Sequence, residues 1–220
     1  MDKKEEVICA LNNIGEEARR ALAAKDEARE EALKLAREVT RNSSLAIRAI
    51  HRRERETASS LLGASREYLA QLHERLSDFP DLLFAGFVQD AEKEFSEASL
   101  TYALIYESRI PSPQELGVGI PPYLNGLGEA AGELRRYILD SMLRGEEEGC
   151  RELFEIMEEI HAVLATMDFP DAITGGLRRT ADLVRSLAEK TREDLLLFLS
   201  QKELSERLKQ FREHLEGGAP

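Results

Sequence analysis

The sequence predicts an all-α protein of about seven helices, and three observations carry that prediction. Leu and Ala together supply 57 of 220 residues against 17 Val plus Ile, and there is no Trp; this usage favours helices over pleated sheet. The prolines fall at Pro80, Pro111, Pro113, Pro121, Pro122, Pro170 and Pro220, leaving four long stretches free of the residue that breaks helices. Within each stretch apolar residues recur at spacings of three and four, the period of a helix with one buried face. An all-β or α/β fold is thereby disfavoured. So is disorder, because a hydrophobic content of 42% can bury enough area to offset the ordering entropy.

Taken in order, residues 1–79 are too long for one helix and are expected to break near Lys25-Asp26 and around Ser59-Ser60. Residues 81–110 read as one helix. Ser108 to Pro122 carries four prolines and two glycines, so it is a connection or a short irregular turn. Residues 123–169 are expected to turn between Gly145 and Gly149, with Glu146, Glu147 and Glu148 as a solvated loop. In the last stretch Leu204, Leu208, Phe211 and Leu215 step by four, three and four, which places them on one face for core or partner packing. No repeat of 20 to 50 residues is present, so residues 1–220 read as one helical domain rather than a solenoid.

No window approaches eighteen uninterrupted apolar residues, and Met1-Asp2-Lys3-Lys4-Glu5-Glu6 lacks the order of a signal peptide. A cytoplasmic protein without a membrane partner is expected. Cys9 and Cys150 stand far apart, with no CxxC spacing for a metal or redox site, and read as structural thiols. A net charge of −12 argues against a surface that is basic throughout, but leaves room for a local basic stripe.

Such a stripe exists between residues 34 and 55, whose net charge is +5. On one continuous helix, Lys34, Arg37, Arg41, Arg48, Arg52 and Arg55 fall within about 60° of one another, opposite Val39, Ala46 and Ile50. An ordinary solvated face interleaves acids and bases, because like charges one turn apart repel by roughly 0.2–0.5 kcal/mol. The excess therefore suits polyanion binding, Arg being adapted to bidentate phosphate contacts. A solvated face, or pairing with acids of another helix, is the alternative.

Asp90, Glu94 and Glu97 share a second helix face, and Glu129 and Glu133 are one turn apart on a third. Two facing helices that each offer carboxylates can hold a hard divalent ion such as Mg²⁺, whose bound water can attack a phosphodiester. The same spacing also occurs on plain solvated helices. Gly126, Gly128 and Gly132 cost about 1 kcal/mol each inside a helix, which suggests close helix approach in return. Other chemistries fail on count: only Glu158 and His161 fit an ExxH motif, two of which a di-iron bundle needs. His73 and His214 read as surface residues, and His51 borders the stripe without an evident partner.

The stretch KLAREVTRNSSLAIRAIHRR (34–53) resembles the basic second helix of the translin and TRAX (translin-associated factor X) family. QDAEKEFSEASLTYALIYESRIPSPQEL (89–116) and PPYLNGLGEAAGELRRYILDSM (121–142) are similar to two of its central helices, and GGLRRTADLVRSLAEKTREDLLLFL (175–199) to its carboxy-terminal one. The densest identities are Tyr123, Leu124, Gly126, Gly132, Glu133 and Leu134. The resemblance implies a roughly seven-helix bundle that assembles into a hollow octamer and binds single-stranded RNA or DNA. The catalytic TRAX branch carries an ExxE pair, present here as Glu94 and Glu97. It also carries an Asp four residues before the GEL glutamate, where this chain has Glu129 followed by Glu133.

The resemblance thus implies a Mg²⁺-dependent endoribonuclease, with Mn²⁺ as the alternative ion. Glu94, Glu97 and Glu129 would be catalytic and metal-binding, Glu133 would complete or orient the site, and the basic stripe would hold the phosphate backbone inside the cavity. A homo-octamer is the simpler assembly, and a mixed one with a translin-like subunit the other. Two further readings remain: a non-catalytic nucleic-acid-binding particle of the translin type, and a helical scaffold that binds only proteins.

Overall fold

Capping chemistry starts the first helix, α1 (Lys3–His51): the Asp2 carboxylate accepts from the Lys4 backbone, and the Glu5 side chain reaches back to the Asp2 amide. The structure, a computed structural model, describes residues 2–217, and among them it contains nine helices and no strand. After α1 come α2 (Arg55–Leu76), α3 (Pro80–Leu83), α4 (Gly86–Tyr106), α5 (Pro113–Leu116), α6 (Ile120–Leu143), α7 (Cys150–Ala165), α8 (Asp171–Thr174) and α9 (Leu177–Gly217). Six are long and three are single turns, close to the seven expected. No described helix is long and apolar enough to cross a membrane.

Four prolines open helices, as their missing N–H and fixed φ allow: Pro80 and Pro113 sit at the first positions of α3 and α5, Pro121 in the first turn of α6, and Pro170 just before α8. The expected turn between Gly145 and Gly149 is present, both glycines having φ above +70°. Two expected breaks are absent. Helix α1 runs unbroken through Lys25-Asp26, where no Gly or Pro interrupts good helix formers and where Lys25 pairs with Asp81. Helix α2 likewise passes through Ser59-Ser60.

The actual turn is Arg52–Glu54, and it hinges on Arg53 at φ 61°. A left-handed arginine is uncommon; here its guanidinium bridges to Glu146 and to Ser141 Oγ and lies 5.5 Å from the Tyr137 ring centroid. Tertiary contacts thus select a turn that no local residue announces. The Glu146–Glu148 run is correspondingly less free than expected, since Glu147 pairs with Lys202 while Glu146 holds Arg53.

In the core α1 packs on α2 and α4, α4 on α6, and α6 on α7 and α9. Ala28, Ala32, Val39, Leu72, Phe95, Leu100, Leu134, Ile138, Met157 and Leu164 form its centre. The buried Glu92 carboxylate ties three elements, accepting from Gly119 N at 3.2 Å and meeting His73 Nε2 at 2.8 Å. His73 is therefore a partly buried cross-link rather than a free surface residue. Both long helices outrun the core. Residues Val7, Leu11 and Ile14 of α1 and Leu204, Leu208 and Phe211 of α9 are all more than half exposed, so the last face serves no core packing within one chain; the Leu215 side chain lies outside the described residues.

Candidate metal centre

Three of the carboxylates found at helical spacing converge. Glu94 and Glu97 project from one face of α4, Glu129 from α6, and one oxygen of each lies within 4.8 Å of the others. What lets the two helices close is Gly126. A Cβ there would stand 2.7 Å from both the Lys93 carbonyl oxygen and Ser96 Cβ, and 3.0 Å from Glu97 N, so the α6 backbone rests directly on the turn of α4 that carries the acids. Gly128 plays the same part toward α9, where a Cβ would collide with Thr180. Gly132 does not: its nearest neighbour, Leu187, would be 3.7 Å away, an ordinary contact.

Three carboxylates held together out of bulk water repel. Burial first, and then the charges of Glu129, Glu94 and Glu133, push the Glu97 carboxyl up to about 8. Glu94 is also raised, chiefly by burial. Lys93 Nζ donates to Glu129 Oε1 at 2.9 Å and stands 3.9 Å from Glu94. Burial acts to lower its pKa, but the hydrogen bond and charge of Glu129 outweigh that and hold it above the ordinary lysine value. An array of hard oxygen donors this close, charged enough to draw in a lysine, could hold a metal cation.

Glu133, grouped with these acids by spacing, is placed differently. Its carboxylate pairs with His51 Nε2 and stands 3.9 Å from Arg136, leaving it beside the triad rather than in it. His51, whose side chain is 5% exposed, therefore has a partner the sequence did not disclose, and Asp140 lies 3.9 Å from its other ring nitrogen. Asp90 shares the α4 face but stays outside the triad, where its charge raises both Glu94 and Lys93.

The basic stripe survives in part. Lys34, Arg37, Arg41 and Arg48 are exposed on α1 opposite the buried Val39, Ala46 and Ile50, and Arg41 stands 3.6 Å from Glu38. Arg52 and Arg55 do not continue that face, because the helix ends at His51. Arg52 donates to both oxygens of Glu54 at 2.8 and 2.9 Å, and Arg55 opens α2 with its guanidinium 5.6 Å from the Tyr106 ring centroid. His51, the last residue of α1, touches Glu133, so the helix carrying the stripe ends against α6 one turn from Glu129.

Lys93 escaped the sequence reading, although its i,i+4 relation to Glu97 places it on the acidic face. Arg179 escaped as well; nothing in its own helix sets it apart, and only the fold brings it near Glu129.

No protein-family model matches the chain. It is 34% identical over 190 residues to an uncharacterized protein of Methanocaldococcus jannaschii, an alignment spanning 86% of this chain and 84% of that one. Among solved structures, AfC3PO in complex with duplex RNA superposes with a TM-score of 0.79 at 31% identity, over 84% of this chain and 96% of its own. AfC3PO by itself matches equally well, with 97% of its chain covered. Apo-NeC3PO shares the fold, with a TM-score of 0.74 at 24% identity over 86% of this chain and 96% of its own.

Proposed function

The chain belongs to the translin family, and from that premise we propose that it is a metal-dependent endoribonuclease of the TRAX-like branch. The observation that carries this reading is the convergence of Glu94, Glu97 and Glu129 within 4.8 Å. These three residues hold Mg²⁺, or Mn²⁺ in its place, which would generate a hydroxide-like nucleophile from water and offset charge at phosphorus. Glu133, fixed by His51, orients the edge of the site. Glu129 is one methylene longer than the family's Asp at this place, and it reaches the cluster from α6 because Gly126 brings that helix onto α4.

Lys34, Arg37, Arg41 and Arg48 bind the phosphate backbone, and Arg52 and Arg55, set off from that face by the turn after His51, add contacts beyond it. RNA is the substrate: the single strand is the form cleaved, and the duplex in the AfC3PO complex extends binding to paired RNA. Single-stranded DNA would share the backbone contacts. The chain assembles with itself into a hollow oligomer, an octamer in its simplest form, or with a translin-like subunit. The exposed apolar stripes of α1 and α9 support self-association, since faces of that kind commonly mark interfaces.

The test is a denaturing gel of end-labelled RNA, single-stranded and duplex, incubated with the protein in Mg²⁺ and in EDTA beside Glu97→Gln. Cleavage that needs both Mg²⁺ and Glu97 is expected, with binding retained in the variant. Cleavage unaffected by Glu97→Gln would overturn the assignment. Intact but bound RNA would leave a binding particle of the translin type.

A further inference from the structure

Beside the acidic triad, between the start of α4, the first turns of α6 and the start of α9, lies a cavity of about 710 Å³. Glu129, one of the triad, and Lys93, which donates to it, both line the wall, so anything bound there is adjacent to the chemistry. The floor is rigid: Asn125 Nδ2 donates to the carbonyls of Pro121 and Thr174 at 3.0 and 2.7 Å, and Asn125 Oδ1 accepts from Thr180 Oγ1 at 2.9 Å. Every polar atom of that buried amide is engaged, which fixes the wall without using it for a ligand.

Arg179 is the free group. Its neighbour Arg178 is paired with Asp168 at 2.8 Å, but among the described residues the Arg179 guanidinium has no carboxylate or other hydrogen-bond partner, although Arg179 lines this cavity. It stands in the first turn of a 41-residue helix entered through Gly175-Gly176, where backbone N–H groups lack intrahelical partners and favour anions. Gln89 and Asp90 of α4 and Asp182 of α9 also line it and offer acceptors, while Pro121, Pro122 and Leu183 offer apolar surface. A phosphate alone would leave these acceptors and the apolar wall without a role; a ribonucleotide uses all three kinds of surface, and its hydroxyls are donors that carboxylates accept.

The geometry points to a nucleotide subsite here: the cavity takes the ribonucleotide next to the scissile bond, with Arg179 on its phosphate, the acidic side chains on its ribose and the Pro121–Pro122 wall against its base. This rests on the nuclease reading above, deepening it from a site for RNA to a seat for one nucleotide. Arg179 is thus a positioning residue, placed to lower KM more than to raise kcat.

Binding of a fluorescent 5′-phosphorylated ribodinucleotide, measured in EDTA by anisotropy, separates this inference from cleavage. Arg179→Gln should weaken it about tenfold while Arg207→Gln, whose arginine pairs with Glu203 far along α9, leaves it unchanged, with circular dichroism confirming that both variants fold. The deoxyribose analogue should bind several-fold more weakly, and inorganic phosphate should compete only at far higher concentration. An unchanged affinity in Arg179→Gln, or competition by phosphate as effective as by the dinucleotide, would overturn the subsite. Absence of Mg²⁺-dependent cleavage with Arg179-dependent dinucleotide binding intact would instead sink the nuclease reading and leave the subsite standing.

Discussion

Replacing Gly126 by Ala tests the contact that brings the acids together. The added Cβ would lie 2.7 Å from the Lys93 carbonyl oxygen and from Ser96 Cβ, whereas comfortable contact is about 3.5–4.0 Å. Helices α4 and α6 must therefore part by roughly 1 Å, against backbone that cannot rotate away. Overpacking of this kind costs about 1–3 kcal/mol, offset by roughly 1 kcal/mol of improved helix propensity. The net loss is up to about 2 kcal/mol, which at roughly 2–4 °C per kcal/mol for a chain of this size lowers Tm by several degrees. Gly132→Ala is the control with the opposite sign: its Cβ meets Leu187 at 3.7 Å, so only the propensity gain of up to about 1 kcal/mol remains. The more telling readout is metal affinity. Mg²⁺ demands near-ideal octahedral geometry at about 2.0–2.1 Å, so a roughly 1 Å shift of Glu129 relative to Glu94 and Glu97 should weaken binding at least tenfold by isothermal titration calorimetry, with Gly132→Ala unaffected. If Gly126→Ala melts as high as Gly132→Ala and binds the ion like the parent protein, the close helix contact does not shape the site.

The raised Glu97 carboxyl, at about 8 against an ordinary 4.5, gives a pH dependence of defined sign. The folded state then holds this proton where the unfolded state has released it, so the contribution is fully present below about pH 4.5 and is lost as pH rises through about 8. Metal-free protein should lose Tm over that window, Glu97→Gln should flatten the loss, and Mg²⁺ affinity should climb over the same range because the ligand must be ionised. For the stripe, Arg37→Gln and Arg41→Gln should each reduce the slope of log affinity for single-stranded RNA against log salt by about 0.7 per phosphate contact. Arg52→Gln should reduce it less, its guanidinium being held by Glu54; equal reductions would mean that the ion pair opens on RNA.

The pieces of this protein differ in how they could be read from the chain. Helical period, proline positions and glycine turns are local properties, so most of α4, a helix opening at the Pro121-Pro122 pair and the Gly145–Gly149 turn were legible, whereas the break at Phe84-Ala85 that splits α3 from α4 inside the single helix expected over 81–110 was not. The break between α1 and α2 was not, because Arg53 adopts a left-handed conformation through Glu146, Ser141 and Tyr137, residues some ninety positions away. Periodicity carried one step too far there: it ran the basic face on through Arg52 and Arg55, where the helix has already ended. Of the acids, spacing correctly grouped Glu94 with Glu97 on one face, but it treated Glu129 and Glu133 alike, and only the packing of His51 separates them.

By itself the sequence determined that the chain is helical, that its acids and its arginines occupy separate helix faces, and that small residues punctuate the helix carrying Glu129. These follow from residue type and the 3.6-residue period. Which acids meet, that Lys93 lies among them, that His51 claims Glu133, and that Arg179 faces a cavity beside Glu129 were decided by tertiary structure. Each depends on how closely two helices approach and in what register, and at this site that is set by the atoms Gly126 and Gly128 lack.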